Sequence, residues 1–141
     1  MAAPIESGAP METGAVSVLV VDDEPSLRLL CRVNLELDGF RVLEAGTVGE
    51  ARETLTSEPV EVVLLDVHVG SGDGRQLLEE LKAQDSSTRI LMLTGTADIA
   101  TSNLGAADKV MAKPFDPAEL VATVRELASL QKRRSGNGDA T

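Results

Sequence analysis

Residues 60–74 read VEVVLLDVHVGSGDG. Val62, Val63, Leu64 and Leu65 follow one another with no polar residue between them. A β-rich run that is apolar on both sides of the pleat fits a strand covered on both faces. Strands of that kind belong to the interior of parallel sheets, which helices cover above and below. The run stops at Asp66, and a carboxylate there costs stability unless something pairs with it or uses it. Gly70, Gly72 and Gly74 then mark a loop, and Leu77, Leu78 and Leu81 mark a helix after it.

The same alternation repeats on both sides of this stretch. Residues 16–21 (VSVLVV) read as a strand that ends at Asp22-Asp23-Glu24-Pro25, a helix start with proline in its first turn. That helix runs to about Asp38 and stops at Gly39. Residues 40–45 (FRVLEA) alternate and predict a strand with one more exposed face. Thr47 caps a second helix, with Val48, Ala51 and Leu55 on one stripe. Residues 89–94 (RILMLT) and 109–112 (KVMA) read as the fourth and fifth strands. Between them lies a short, weak helical segment at about residues 97–104, closed by Gly105. Leu120, Val121, Val124, Leu127 and Ala128 give the last helix its apolar face. Five βα units predict an α/β fold: a doubly wound, five-stranded parallel sheet with helices on both faces.

The chain has 141 residues, suited to one domain, with 43% hydrophobic residues and 1% aromatic. Phe40 and Phe115 are the only aromatics, so the core is aliphatic. The net charge of −10 argues against a sequence-independent grip on nucleic acid or anionic lipid. No apolar run approaches a membrane span, and residues 1–15 lack a basic start and an apolar stretch, so no membrane insertion and no secretory signal are expected. Residues 1–15 and 133–141 read as flexible arms around a domain at 16–132. Cys31 is the lone cysteine and sits in an apolar helical pattern, which fits a core residue in a reducing, cytoplasmic compartment.

Sites in open α/β sheets lie at the carboxyl ends of the strands. Asp22 and Asp23 stand at the end of the first strand, Asp66 at the third, Thr94 at the fourth and Lys113-Pro114 at the fifth. At about 4 Å and an effective dielectric near 20, each pair of carboxylates costs on the order of 4 kcal/mol. Such a cluster recruits a cation or holds protons. Three oxygen donors and no cysteine favour a hard divalent ion, Mg2+ first and Mn2+ or Ca2+ next. Lys113 and Thr94 stand where a phosphoryl group bridged to that ion needs a counter-charge and a donor.

Taken in order, Asp22-Asp23, Asp66, Thr94 and Lys113-Pro114-Phe115 resemble the motif of a response-regulator receiver domain of the CheY-like superfamily. The resemblance covers the folded part of the chain and implies a flavodoxin/CheY-like fold. It implies that Asp66 accepts a phosphoryl group from a phosphohistidine on a histidine kinase or histidine phosphotransfer protein. Asp23 and Asp66 would bind Mg2+ directly, Asp22 largely through water, and the backbone carbonyl of His68 would add a ligand. Thr94 would hydrogen-bond the phosphoryl group, Lys113 would pair with it, and the Lys113–Pro114 bond would be cis. His68 and Thr96 occupy rim positions that tune the lifetime of the phosphoryl group. With no further domain in view, a stand-alone receiver is expected, which binds an output protein or relays the phosphate and catalyses only its own phosphorylation and dephosphorylation.

The chain departs from the family pattern elsewhere. Val110 stands where an aromatic commonly reports the event, and there is no tyrosine in the sequence. The segment from Thr94 to Lys113 is short by about one helical turn, so a stunted, unwound or absent fourth helix is expected. Gly70 replaces a frequent proline, and three glycines suggest a mobile loop. Val110 and the short fourth-helix region favour an alternative, a phosphorylation-independent interaction module on the same fold. A phosphohydrolase on a related fold fits less well, because His68 stands where its second acid would be.

Overall fold

The computed structural model describes residues 15–84, 87–95 and 104–140, with residues 131–140 described by backbone alone. Five strands form one parallel sheet: β1 (Ser17–Val21), β2 (Arg41–Ala45), β3 (Val62–Asp66), β6 (Arg89–Thr94) and β7 (Lys109–Ala112), in the order β2-β1-β3-β6-β7. β3 is central, as its unbroken apolar run requires, and Val62 to Leu65 are fully buried. β2 is an edge strand, and its mixed burial matches its alternating sequence. In register, Val21 pairs with Leu65 and Asp66 pairs with Leu93, so the strand ends align at one edge of the sheet.

Period-two alternation splits the core into two layers. Leu19, Val21, Val63, Leu65, Ile90 and Met92 face α2 (Val48–Ser57) and α3 (Gly74–Ala83). Val18, Val20, Leu64, Leu91 and Leu93 face α1 (Pro25–Leu37) and α4 (Pro117–Ala140). The helix ends follow from local chemistry. Pro25 opens α1. Gly39, at φ 95°, closes it, with Gly39 N donating to Glu36 O and Phe40 N to Leu35 O, the paired bonds of a Schellman stop. The Thr47 hydroxyl accepts from Glu50 N at 3.0 Å at the start of α2.

Two expectations meet a different outcome. The glycine-rich segment is not an open loop: β4 (His68–Val69) and β5 (Gly72–Asp73) form an antiparallel ribbon joined at Gly70-Ser71. Gly70 sits at φ 62°, the positive value that a two-residue hairpin turn needs at its first central position. Second, α4 continues past Lys132 to Ala140, with no proline after Pro117 to interrupt it. The fourth-helix segment expected at about residues 97–104 and Thr96 lie outside the described residues, which resume at Leu104, a buried member of the same core layer as Leu77, Leu78 and Leu81. No helix among the described residues is long and apolar enough to cross a membrane.

Candidate functional site: an acidic cluster at the strand ends

Strand order reverses between β1 and β3, so the crevice of this sheet opens at their carboxyl ends. There Asp22, Asp23 and Asp66 each offer a carboxylate oxygen, all within 4.8 Å of one another. Asp22 is buried, Asp66 half-buried and Asp23 exposed, so the cluster is closed below and open above. Lys113 reaches in from β7, its Nζ donating to Asp22 Oδ2 and to Asp66 Oδ2, each at 2.8 Å. The Lys113–Pro114 peptide is cis, as expected from the resemblance.

Asp22 is fully engaged. Its N–H donates to Ala45 O and its Oδ1 accepts from Glu24 N at 2.9 Å. Its carbonyl accepts from Arg28 Nη1 at 2.6 Å. The acceptor face of Asp66 is freer. Among the described residues its Oδ1 takes a single, long 3.3 Å bond, from His68 N.

Burial pushes the Asp66 carboxyl above the ordinary carboxylate range, against the opposing pull of the Lys113 hydrogen bond and charge, and Asp22 pushes the same way as burial. Burial pulls Lys113 down, but its bonds to Asp22 and Asp66 outweigh that and leave it raised. Both directions follow from crowding: two acids and one base share a half-buried site. An all-oxygen cluster with one exposed carboxylate and an open rim suits a hard cation that keeps part of its water shell.

Thr94 ends β6 and is buried; its carbonyl accepts from Lys113 N at 2.8 Å, which ties the fourth and fifth strand ends together. The His68 side chain is exposed on the ribbon opposite Asp73. Val110 is 40% exposed on β7, three residues before Lys113. With Met111, Phe115 and Glu119 it lines a surface groove of about 480 Å3 on the β7–α4 side of the fold.

Two supporting features escape a reading of the sequence. Gly74 N donates to Val67 O at 2.7 Å, and a Cβ on Gly74 would lie 1.9 Å from Asp66 O. Arg28 and Glu44 form an ion pair, Nε to Oε1 at 2.9 Å, beside the Asp22 carbonyl. The glycine in the GDG triplet hints at the first; nothing in the sequence pairs the second.

Residues 18–125 match the response regulator receiver domain family. The chain is 37% identical over 120 residues to the probable transcriptional regulator ycf27 of Cyanophora paradoxa, covering 83% of this chain and 50% of that protein. It spans about half the length of the curated relatives it matches. The CheY-like receiver domain protein of Methanospirillum hungatei JF-1 superposes with a TM-score of 0.79 at 27% identity, covering 86% of this chain and 99% of that one. The response regulator TrrA of Thermotoga maritima, solved in complex with Mg2+ and BeF, superposes with a TM-score of 0.74 at 28% identity, covering 79% and 98%. The fold, the ordered strand-end residues and these likenesses agree: the chain belongs to the response-regulator receiver family of two-component signal transduction.

Proposed function

We propose that Asp66 of this chain accepts a phosphoryl group from a partner phosphohistidine, with Mg2+ held at Asp23, Asp66 and the His68 carbonyl. Receiver domains bind Mg2+ at an acidic aspartate cluster, and they meet histidine kinases or phosphotransfer proteins. The observation that carries the reading is the arrangement of one ammonium 2.8 Å from both Asp22 and Asp66, beside three carboxylates that face one another. We place the receiver unit at residues 16–132.

Phosphoryl transfer needs positioning and charge neutralisation more than covalent help from the protein. Bound Mg2+ supplies the charge that lets a phosphoryl group approach an anionic carboxylate. Asp66 presents its free carboxylate face at the open rim. Lys113 holds the opposite oxygen and meets the added negative charge. Thr94 sits at the adjacent strand end to donate to the phosphoryl group, and Pro114 fixes the start of the following segment. The product carries more charge than the free acid and biases the β6 and β7 ends toward a second state. His68 and Thr96 tune the lifetime of the phosphoryl group.

Beryllofluoride tests this reading. With Mg2+ it should bind the native chain, give bound fluoride resonances in 19F NMR, and fail to do so in Asp66→Asn. Equal binding by the variant would contradict the assignment.

A second reading has one observation in its favour. Val110 replaces an aromatic on β7 and opens onto the groove lined by Met111 and Phe115. A partner could dock there whether or not Asp66 is modified. Partner capture that is identical with and without beryllofluoride would favour this reading.

A further inference from the structure

Arg28 lies outside the acidic cluster yet contacts its backbone. It stands on α1, six residues after Asp22, and its Nη1 donates to the Asp22 carbonyl at 2.6 Å. Its Nε donates to Glu44 Oε1 at 2.9 Å, which ties the same guanidinium to β2, the neighbouring strand. Gly46 leaves room for this: a Cβ there would stand 3.2 Å from Arg28 Nη1. Arg28 and Glu44 are largely buried, with side chains 18% and 25% exposed.

The surroundings keep this clamp electrically quiet. Glu44 also pairs with Arg32, and Arg32 pairs with Glu36 at 3.1 Å. Two cations face two anions. A lone guanidinium beside the Asp22 backbone would compete with a divalent cation for nearby carboxylates. A guanidinium already matched by Glu44 holds position without that competition. Arg32 Nη2 further donates to Val42 O, anchoring the pair to β2.

We infer that Arg28, anchored by Glu44, is the positioning residue that sets the Asp22-Asp23 turn for a divalent cation. The inference rests on reading Asp22, Asp23 and Asp66 as the Mg2+ site. Fixing a ligand-bearing turn from outside the ligand set raises metal affinity, and loss of such a partner costs about 10-fold to 100-fold.

The test is Mg2+ affinity, measured by calorimetry on the full chain, since it holds no tryptophan or tyrosine to report optically. Arg28→Met keeps the stem and removes the donors, and should weaken Mg2+ binding about tenfold. Arg28→Lys keeps one donor but not the fork and should recover part of that loss. Glu44→Gln keeps an acceptor for Nε but leaves the guanidinium uncompensated; it should weaken binding at least about threefold, with the deficit shrinking as salt rises. Should Arg28→Met not fold, Glu44→Gln decides. Variants with lowered melting temperature but native Mg2+ affinity would make Arg28 merely structural and overturn the inference alone. A native chain that binds no Mg2+ would overturn this inference and the metal reading together.

Discussion

The backbone of Gly74 lies so close to that of Asp66 that a Cβ on Gly74 would stand 1.9 Å from the Asp66 carbonyl oxygen. The start of α3 is thus pressed against Asp66, with Gly74 N held by Val67 O. Gly74→Ala forces one of two backbones to move, and overpacking of this kind costs about 1–3 kcal/mol or more. An unfolding free energy, measured by urea titration, lower by roughly 3 kcal/mol is expected, together with impaired Mg2+ binding. A variant with native stability would mean that the ribbon and α3 yield easily.

Asp66→Asn should raise stability in the absence of metal. Burial raises the folded-state pKa of Asp66 above its unfolded value. A group shifted in that direction contributes stability below its unfolded pKa and loses it as pH rises through the folded one. At neutral pH the ionised carboxylate is therefore a cost, and a neutral amide removes it. A melting temperature higher by roughly 2–4 °C is expected at pH 7, with the gain shrinking in acid. A lower melting temperature at pH 7 would show that the Lys113 bond outweighs burial.

Lys113→Met should act in the opposite sense. It leaves buried Asp22 and half-buried Asp66 without their ammonium. A loss of roughly 2 kcal/mol is expected at pH 7, below the full cost for a broken buried pair because the site is open on one side. Mg2+ should stabilise this variant more than the native chain, since it replaces the missing charge. Thermal melts with and without Mg2+ check both statements, and an equal Mg2+ increment in the two proteins would count against them.

Cys31 is fully buried, and burial, with Asp22 adding to it, pushes its thiol from 9.0 to about 12. The folded thiol stays protonated while the unfolded one ionises, so stability falls as pH rises across 9 to 12. The slope from one such group is at most about 1.4 kcal/mol per pH unit. Lys113, also raised, falls in the same sense above its unfolded value. Urea unfolding of Cys31→Val should show a shallower alkaline decline than the native chain. Identical slopes would mean that Cys31 does not titrate differently in the two states.

Much of this arrangement is legible in the sequence, for physical reasons. β3 declares itself because a strand buried on both faces must be apolar throughout, and β2 because an edge strand alternates. Asp22, Asp66 and Lys113 stand out as polar residues that end such runs, and the sheet brings them within hydrogen-bond reach of one another. The β4–β5 ribbon is hidden because two-residue strands carry no period to read. The close approach of Gly74 to Asp66 is a fact of packing, since glycine in sequence marks a turn as readily as a tight contact. The Arg28–Glu44 pair joins residues sixteen apart on different elements, and a charge alone does not name its partner.

The central claim is that Asp66 becomes an acyl phosphate. The most direct measurement is intact mass of the native chain after incubation with acetyl phosphate and Mg2+, followed by hydroxylamine treatment. A gain of one phosphoryl group is expected, dependent on Mg2+, discharged by hydroxylamine and absent from Asp66→Asn. No gain in the native chain, or an undiminished gain in Asp66→Asn, would contradict it.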